Sequence, residues 1–339
     1  MNNDLITMAH GSGGMAMRQL IGELMLVAFD NPLLASLEDQ ARLPLDAPAG
    51  SRLAFTTDSY VIEPLIFPGG DIGKLAVCGT LNDLAVGGAV PRWLSCGLII
   101  EEGLPLAILK QVIESMAAAA RAAGVQIVTG DTKVVPRGAA DKLFINTAGI
   151  GLIPPGLDLS AKRARLGDAI VVSGSIGDHG AAILQARGDL QLASALASDC
   201  ADLTPLVRQM LAAAPHLVCM RDATRGGVAA VLHEFAATSG LGMRLFESNL
   251  PVRQEVRGLC EILGLDPLHF ANEGKLLAIV PASEAGSLLA AMRAHPLGGD
   301  AAIIGEVVTT PSPRVELRTT FGVDRLLDLP HGEPLPRIC

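Results

Sequence analysis

Aromatic side chains are scarce in this chain: 3% of 339 residues, with one Trp and one Tyr. That leaves few stacking platforms for single-stranded nucleic acid. Excess positive charge is missing too. With 26 Lys and Arg against 35 Asp and Glu, the net charge is −9, which repels nucleic acid and anionic membranes as a whole. Local phosphate sites stay open, because metal ions or backbone N–H groups hold phosphate even in acidic proteins. No apolar run approaches the roughly 18 residues that read as a membrane span. Met1 to Gly14 lacks the basic stretch and apolar run of a secretory signal. The six cysteines, Cys78, Cys96, Cys200, Cys219, Cys260 and Cys339, form no CxxC pair and have no regular spacing. They read as reduced, cytoplasmic thiols rather than a disulfide framework or a zinc site. Nucleotide signatures are absent as well. Gly69-Gly70-Asp71-Ile72-Gly73-Lys74 has the wrong spacing for a Walker A loop, with Leu75 where Ser or Thr is needed, and there is no Rossmann fingerprint.

What is present is material for a large core. Half the residues are apolar and 18% are charged, with a mean hydropathy of +0.41. At roughly 100–200 residues per domain, the length suggests two domains or one large one. Helix and strand patterns alternate: helices over 14–29, 71–85 and 105–123, with strands over 52–57, 93–101, 125–129 and 143–152. A break at Ile153-Pro154-Pro155-Gly156 is the best domain boundary. Strands are then expected at 168–173, 217–220, 243–246, 276–280 and 302–308, separated by helices. The fold class is α/β (α+β) in two halves, and periodicity does not give the strand order. The end differs. Residues 330–339 carry three prolines and finish in Cys339, favouring an extended, flexible tail whose ten residues reach about 33 Å.

Several strands are expected to end on an acid: Thr56-Thr57-Asp58, Val128-Thr129-Gly130-Asp131 and Met220-Arg221-Asp222. Asn82-Asp83 falls inside an apolar helix, where an unpaired carboxylate is costly. Each Asp alone reads as a turn or helix cap. Four of them near Gly and Thr also suit Mg2+, whose oxygen chemistry usually implies phosphate. His10-Gly11-Ser12-Gly13-Gly14 either exposes N–H groups to an anion or merely leads into a helix. Thr224-Arg225-Gly226-Gly227 again puts Gly at a strand-to-helix turn. Glu273 is either a solvated loop acid or a general base held by Asn272. Lys133, close to Asp131, either faces the same cleft or is a surface Lys. In Gly177-Asp178-His179-Gly180 the His is more often structural than a ligand.

In order along the chain, Thr57-Asp58-Ser59, Cys78-Gly79-Thr80-Leu81-Asn82-Asp83, Thr129-Gly130-Asp131-Thr132-Lys133, Arg221 to Gly227 and Ala271-Asn272-Glu273-Gly274 resemble the ATP-using superfamily of aminoimidazole ribonucleotide synthetase, selenophosphate synthetase and thiamine monophosphate kinase. The terminal Pro336-Arg337-Ile338-Cys339 is similar to the terminal motif of the hydrogenase maturation carbamoyl dehydratases. The resemblance implies a two-domain fold. Residues 1–155 form an ATP-binding domain with a barrel-like homodimer interface, 156–329 a C-terminal α/β domain, and 330–339 a Pro-rich tail bearing the reactive Cys. By the same resemblance Asp58, Asp83, Asp131 and Asp222 hold Mg2+ and the ATP phosphates, with Asn82 assisting. The nucleotide site also takes in His10, Gly13, Gly14, Thr129, Gly130 and Thr224.

The implied reaction makes a nitrile from an amide. A partner carbamoyltransferase loads Cys339, ATP phosphorylates the carbamoyl oxygen, and loss of phosphate leaves a thiocyanate. Its carbon becomes the cyanide ligand of the [NiFe]-hydrogenase iron, passed on through maturation scaffold proteins. Glu273 is expected to take a nitrogen proton and Lys133 to steady the oxygen undergoing phosphorylation. The alternatives are another kinase or synthetase of the superfamily, of selenophosphate synthetase type, and a non-enzymatic maturation scaffold.

Overall fold

A computed structural model describes residues 5–38, 40–188 and 196–329. The chain divides into two compact units. Among the described residues the first comprises 5–84 and 89–156, and the second 85–88 and 157–329.

The first unit opens with α1 (Met15–Leu20), a π turn over Ile21–Met25, α2 (Leu26–Phe29) and α3 (Pro32–Ala35). The helix expected over 14–29 is present as one unbroken run over 15–29, with a π turn in its middle. Next come β1 (Arg52–Tyr60), the small pair β2 (Ile66–Phe67) and β3 (Gly70–Asp71), α4 (Ile72–Val86) and β4 (Val90–Glu101). The unit closes with α5 (Leu106–Ala123), β5 (Gln126–Val135) and β6 (Leu143–Ile153). Asp71 starts α4 as a cap, its carboxylate accepting the Gly73 and Lys74 amides at 2.8 and 3.1 Å. Gly124, at φ +69°, ends α5.

The four long strands form one sheet in the order β1-β6-β4-β5. Its inner face is packed by helices. Thr147 of β6 bonds to the Ala76 carbonyl and the Thr80 hydroxyl of α4, and Leu109, Val112, Ile113 and Met116 of α5 are buried. The outer face keeps large apolar side chains in the open, Phe55 at 70% and Leu53 at 60% exposure. Alternation along β1 follows from that difference between the faces.

The expected strand ends at Asp58 and Asp131 are incorrect. β1 runs two residues past Asp58, and β5 runs four past Asp131. An Asp reads locally as a stop, but Thr, Tyr and Val on either side favour strand, and cross-strand pairing with β6 and β4 continues past both acids.

The second unit contains β7 (Ala169–Val172), α6 (Asp178–Ala186), α7 (Thr204–Ala213), β8 (Cys219–Asp222), α8 (Gly227–Ser239) and β9 (Gly242–Phe246). It continues through α9 (Gln254–Leu263), β10 (Leu276–Val280), α10 (Ala282–Arg293), β11 (Ala302–Val308), β12 (Val315–Arg318) and β13 (Asp324–Leu326). Its mixed sheet has the order β13-β12-β9-β11-β7-β10-β8. Every residue of β7 and β10 is buried, because helices cover both sheet faces. Val228, Leu232 and Phe235 of α8 belong to one core, and Leu206, Met210, Leu288 and Met292 of α7 and α10 to another. The β12–β13 hairpin was not expected, since β13 is three exposed residues. No helix among the described residues is long and apolar enough to cross a membrane.

Candidate functional site

In the first unit, β1 and α4 build a pair of held carboxylates. Thr56, Asp58 and Tyr60 alternate onto the inner face of β1. Tyr60 donates its hydroxyl to Asp58 Oδ2 at 3.0 Å, and the Ser59 amide donates to Asp58 Oδ1 at 3.0 Å. Thr56 Oγ1 donates to Asp83 Oδ2 at 2.7 Å. Asn82, beside Asp83 on α4, is buried.

Asp131 stands elsewhere. The register aligns Asp58, Thr147, Cys96 and Gly130 in one row, and Ser59, Asn146, Gly97 and Asp131 in the next. Neighbouring rows face opposite ways, so Asp131 is on the outer face and Asp58 on the inner one. They also occupy opposite edges of the sheet, so within one protomer the two acids do not meet. Lys133, two residues on, shares the outer face and reaches Asp131 at 3.0 Å. That contact, chiefly, holds the Asp131 carboxyl below its ordinary value. Thr129 and Gly130 precede it on β5. His10 accepts the Thr7 amide on Nδ1 at 3.0 Å. The loop from His10 to Gly14 runs onto β5, where a Cβ on Gly11 would strike Val134. Gly13 has φ +78°, and Gly14 caps α1.

In the second unit the strand end that carries Asp222 is bonded through its backbone to the segment that carries Glu273. Asp222 ends β8 and pairs with Leu276 of β10. Ala223 donates its amide to the Lys275 carbonyl at 3.0 Å, and the Asn272 amide donates to Ala223 at 2.9 Å. Glu273 is 3% exposed. Asn272 braces the surroundings: its Oδ1 accepts the Gly177 amide at 2.7 Å, while its Nδ2 donates to the Ala223 and Phe270 carbonyls at 2.9 and 3.0 Å. The residue that holds the Glu273 backbone is Asp199. It accepts the Glu273 and Gly274 amides at 3.0 and 3.2 Å and pairs with Lys275 Nζ at 3.2 Å. Thr224 accepts the Gly227 amide on its carbonyl at 2.9 Å. Gly227 itself has φ +60°, and a Cβ there would strike the Phe270 and Leu268 carbonyls, which accounts for Gly in this turn.

Among the described residues no group of three or more His, Cys, Asp or Glu side chains stands ready to hold a metal ion. A magnesium site needs none. It takes one or two carboxylates, keeps waters and completes its octahedron with phosphate oxygens. Asp58 fits that demand, because each of its oxygens already accepts one protein hydrogen bond and keeps lone-pair capacity. Cys339 and the tail 330–339 lie outside the described residues. His179, the other candidate ring, is fully buried with Nδ1 2.8 Å from Ser198 Oγ, as a structural His should be.

The AIR synthase related N-terminal domain model matches residues 37–153, and the C-terminal domain model residues 165–318. The carbamoyl dehydratase HypE of Escherichia coli K12 is 61% identical over the whole of both chains. The chain belongs to the HypE family of carbamoyl dehydratases. A crystal structure of a HypE in complex with ATP superposes with a TM-score of 0.93 at 50% identity, covering 98% of this chain and 99% of that one. The HypE–HypF crystal structure gives 0.80 at 46% identity over 92% and 99%. Within this HypE-family chain, sequence reasoning missed Thr56, Tyr60, Asp199 and Lys275. Only Thr56 and Tyr60 carried a signal, their two-residue spacing on either side of Asp58.

Proposed function

We propose that this chain is the ATP-dependent carbamoyl dehydratase of hydrogenase maturation, converting an S-carbamoyl group on Cys339 to a thiocyanate. The observation that carries the reading is full-length family membership at 61% identity. A HypE relative binds ATP and another assembles with HypF. The partner that loads Cys339 is accordingly a carbamoyltransferase corresponding to HypF, and the products pass to maturation scaffold proteins in the cytoplasm.

The chemistry follows from leaving groups. An amide oxygen cannot depart as oxide. The carbamoyl oxygen attacks the γ-phosphorus of ATP and ADP leaves. The carbon then bears a phosphate ester, and loss of the nitrogen protons expels phosphate to form the C≡N bond. Atoms balance as S-carbamoyl plus ATP giving thiocyanate, ADP and phosphate. Mg2+, when bound, offsets charge on the transferring phosphoryl group. Asp58 of β1 and Asp83 of α4, with Asn82 assisting, are the carboxylates that would hold it within one protomer. Asp131, on the outer face, would serve only where the outer faces of two protomers pair, and Asp222 is the acid proposed for the second unit. Thr129, Gly130 and the loop of His10, Gly13 and Gly14 are the nucleotide-binding residues proposed for the first unit, and Thr224 the one proposed for the second. Lys133 steadies the oxygen that is phosphorylated, giving up part of its pairing with Asp131. Glu273, its backbone fixed by Asp199, accepts a nitrogen proton.

The exposed Leu53 and Phe55 support pairing of two outer faces in a homodimer. That pairing forms the barrel-like interface and covers both side chains.

The test is ATP hydrolysis in the presence of the loading partner. Wild-type protein should hydrolyse ATP only when Cys339 is carbamoylated. Cys339→Ala should bind ATP normally and hydrolyse none. Partner-dependent hydrolysis by Cys339→Ala would refute the assignment.

A further inference from the structure

The inner face of β1 shows how the proposed magnesium carboxylates are oriented. Thr56, Asp58 and Tyr60 follow one another on that face, and the two flanking hydroxyls each hold a different acid. Tyr60 takes Asp58 Oδ2 at 3.0 Å, and Thr56 takes Asp83 Oδ2 at 2.7 Å. Tyr60 is the sole tyrosine of the chain and is 2% exposed.

Its hydroxyl belongs to a chain of oxygens whose protons can be assigned. The Ala76 carbonyl only accepts, so Thr147 donates to it at 3.2 Å. Thr80 therefore donates to Thr147 at 2.5 Å. Asp58 as a carboxylate only accepts, so the Tyr60 proton goes to Asp58, with Thr80 Oγ1 lying 3.4 Å from the phenol oxygen. The ring has no room to turn away. A Cβ on Gly79 would collide with the Tyr60 hydroxyl, so the bare glycine in the Cys78-Gly79-Thr80 run is the space into which the phenol fits.

Resting on the reading of Asp58 and Asp83 as magnesium ligands, we propose that Tyr60 and Thr56 are positioning residues of the nucleotide-bound metal. They fix the two carboxylates in the orientation that accepts the ion. Groups that orient ligating carboxylates typically change metal affinity by about 10–100-fold when removed.

The experiment is calorimetric binding of ATP, once with Mg2+ and once with excess chelator. The ratio of the two dissociation constants isolates the metal's share. Tyr60→Phe and Thr56→Val should each reduce that ratio by about 10-fold or more while leaving metal-free ATP affinity unchanged. Thr56→Ser, which keeps a hydroxyl, should restore it. General damage to the fold would weaken both arms together and leave the ratio intact, so an unchanged ratio in Tyr60→Phe and Thr56→Val overturns the proposal. Asp58→Asn and Asp83→Asn separate the two levels. If they collapse the ratio while the hydroxyl variants do not, the positioning role alone is wrong. If they too leave it unchanged, the magnesium reading falls, and the proposal with it.

Discussion

Replacing Asn272 with Ala tests how the second unit is locked around Glu273. Asn272 is 1% exposed and ties three backbone segments together: the start of α6 through Gly177, the end of β8 through Ala223, and its own approach through Phe270. The substitution leaves the buried Gly177 N–H without its acceptor, a loss of about 1–3 kcal/mol. The two bonds from Nδ2 add roughly 1 kcal/mol each. The Ala223 carbonyl keeps the Asn272 amide at 2.9 Å, which softens the second loss. The expected destabilisation is about 3 kcal/mol, a large part of the roughly 5–15 kcal/mol typical of a folded domain. With a urea m-value near the upper end of about 1–3 kcal/mol/M, the midpoint for the second unit falls by about 1 M. Far-UV circular dichroism through a urea series reads it, since the sole Trp93 belongs to the first unit. A shift worth less than about 1 kcal/mol would mean that these bonds are replaced by solvent and that the brace is not one.

Asp178 is held above its ordinary carboxyl value by burial, against an opposing hydrogen bond from Ser175 and the charge of Arg253. The folded state therefore binds this proton more tightly than the unfolded chain. Its contribution is most favourable below the unfolded value and is lost as pH rises through the folded one. Asp178→Asn should raise the melting temperature more at about pH 8 than at about pH 4; a gain independent of pH would contradict the sign. The cysteines of the described residues are buried and unbridged, and burial pushes Cys96, Cys219 and Cys260 up to about 12. Iodoacetamide should therefore add one label per native chain, at Cys339, and six after denaturation; several labels on folded protein would be inconsistent with that. Lys133→Gln should let the Asp131 carboxyl rise toward its ordinary value, measured by NMR titration, and an unmoved midpoint would show that Lys133 does not hold it.

Much of the architecture was legible in the sequence because its helices and buried strands have strong punctuation. Asp71 opening α4 and Gly124 closing α5 are readable caps, and the uniformly apolar Leu276–Val280 is a strand whichever sheet it enters. Asp58 and Asp131 mislead because the acids lie inside strands whose pairing extends beyond them. That they face opposite ways follows only from the cross-strand register, which no local pattern encodes. Asp199 is separated from Glu273 by 74 positions, and nothing in its own neighbourhood marks it as the group that clamps that loop. The Gly and Asp pieces became informative as an ordered set ending in Cys339.

The central claim is tested most directly by intact mass spectrometry of the chain after incubation with its carbamoyl-donating partner, with and without Mg2+ and ATP. The account predicts one carbamoyl group on Cys339 in both cases, and the loss of one water from that adduct only when ATP is present. An adduct that keeps its water with ATP, or that forms equally on Cys339→Ala, would contradict it.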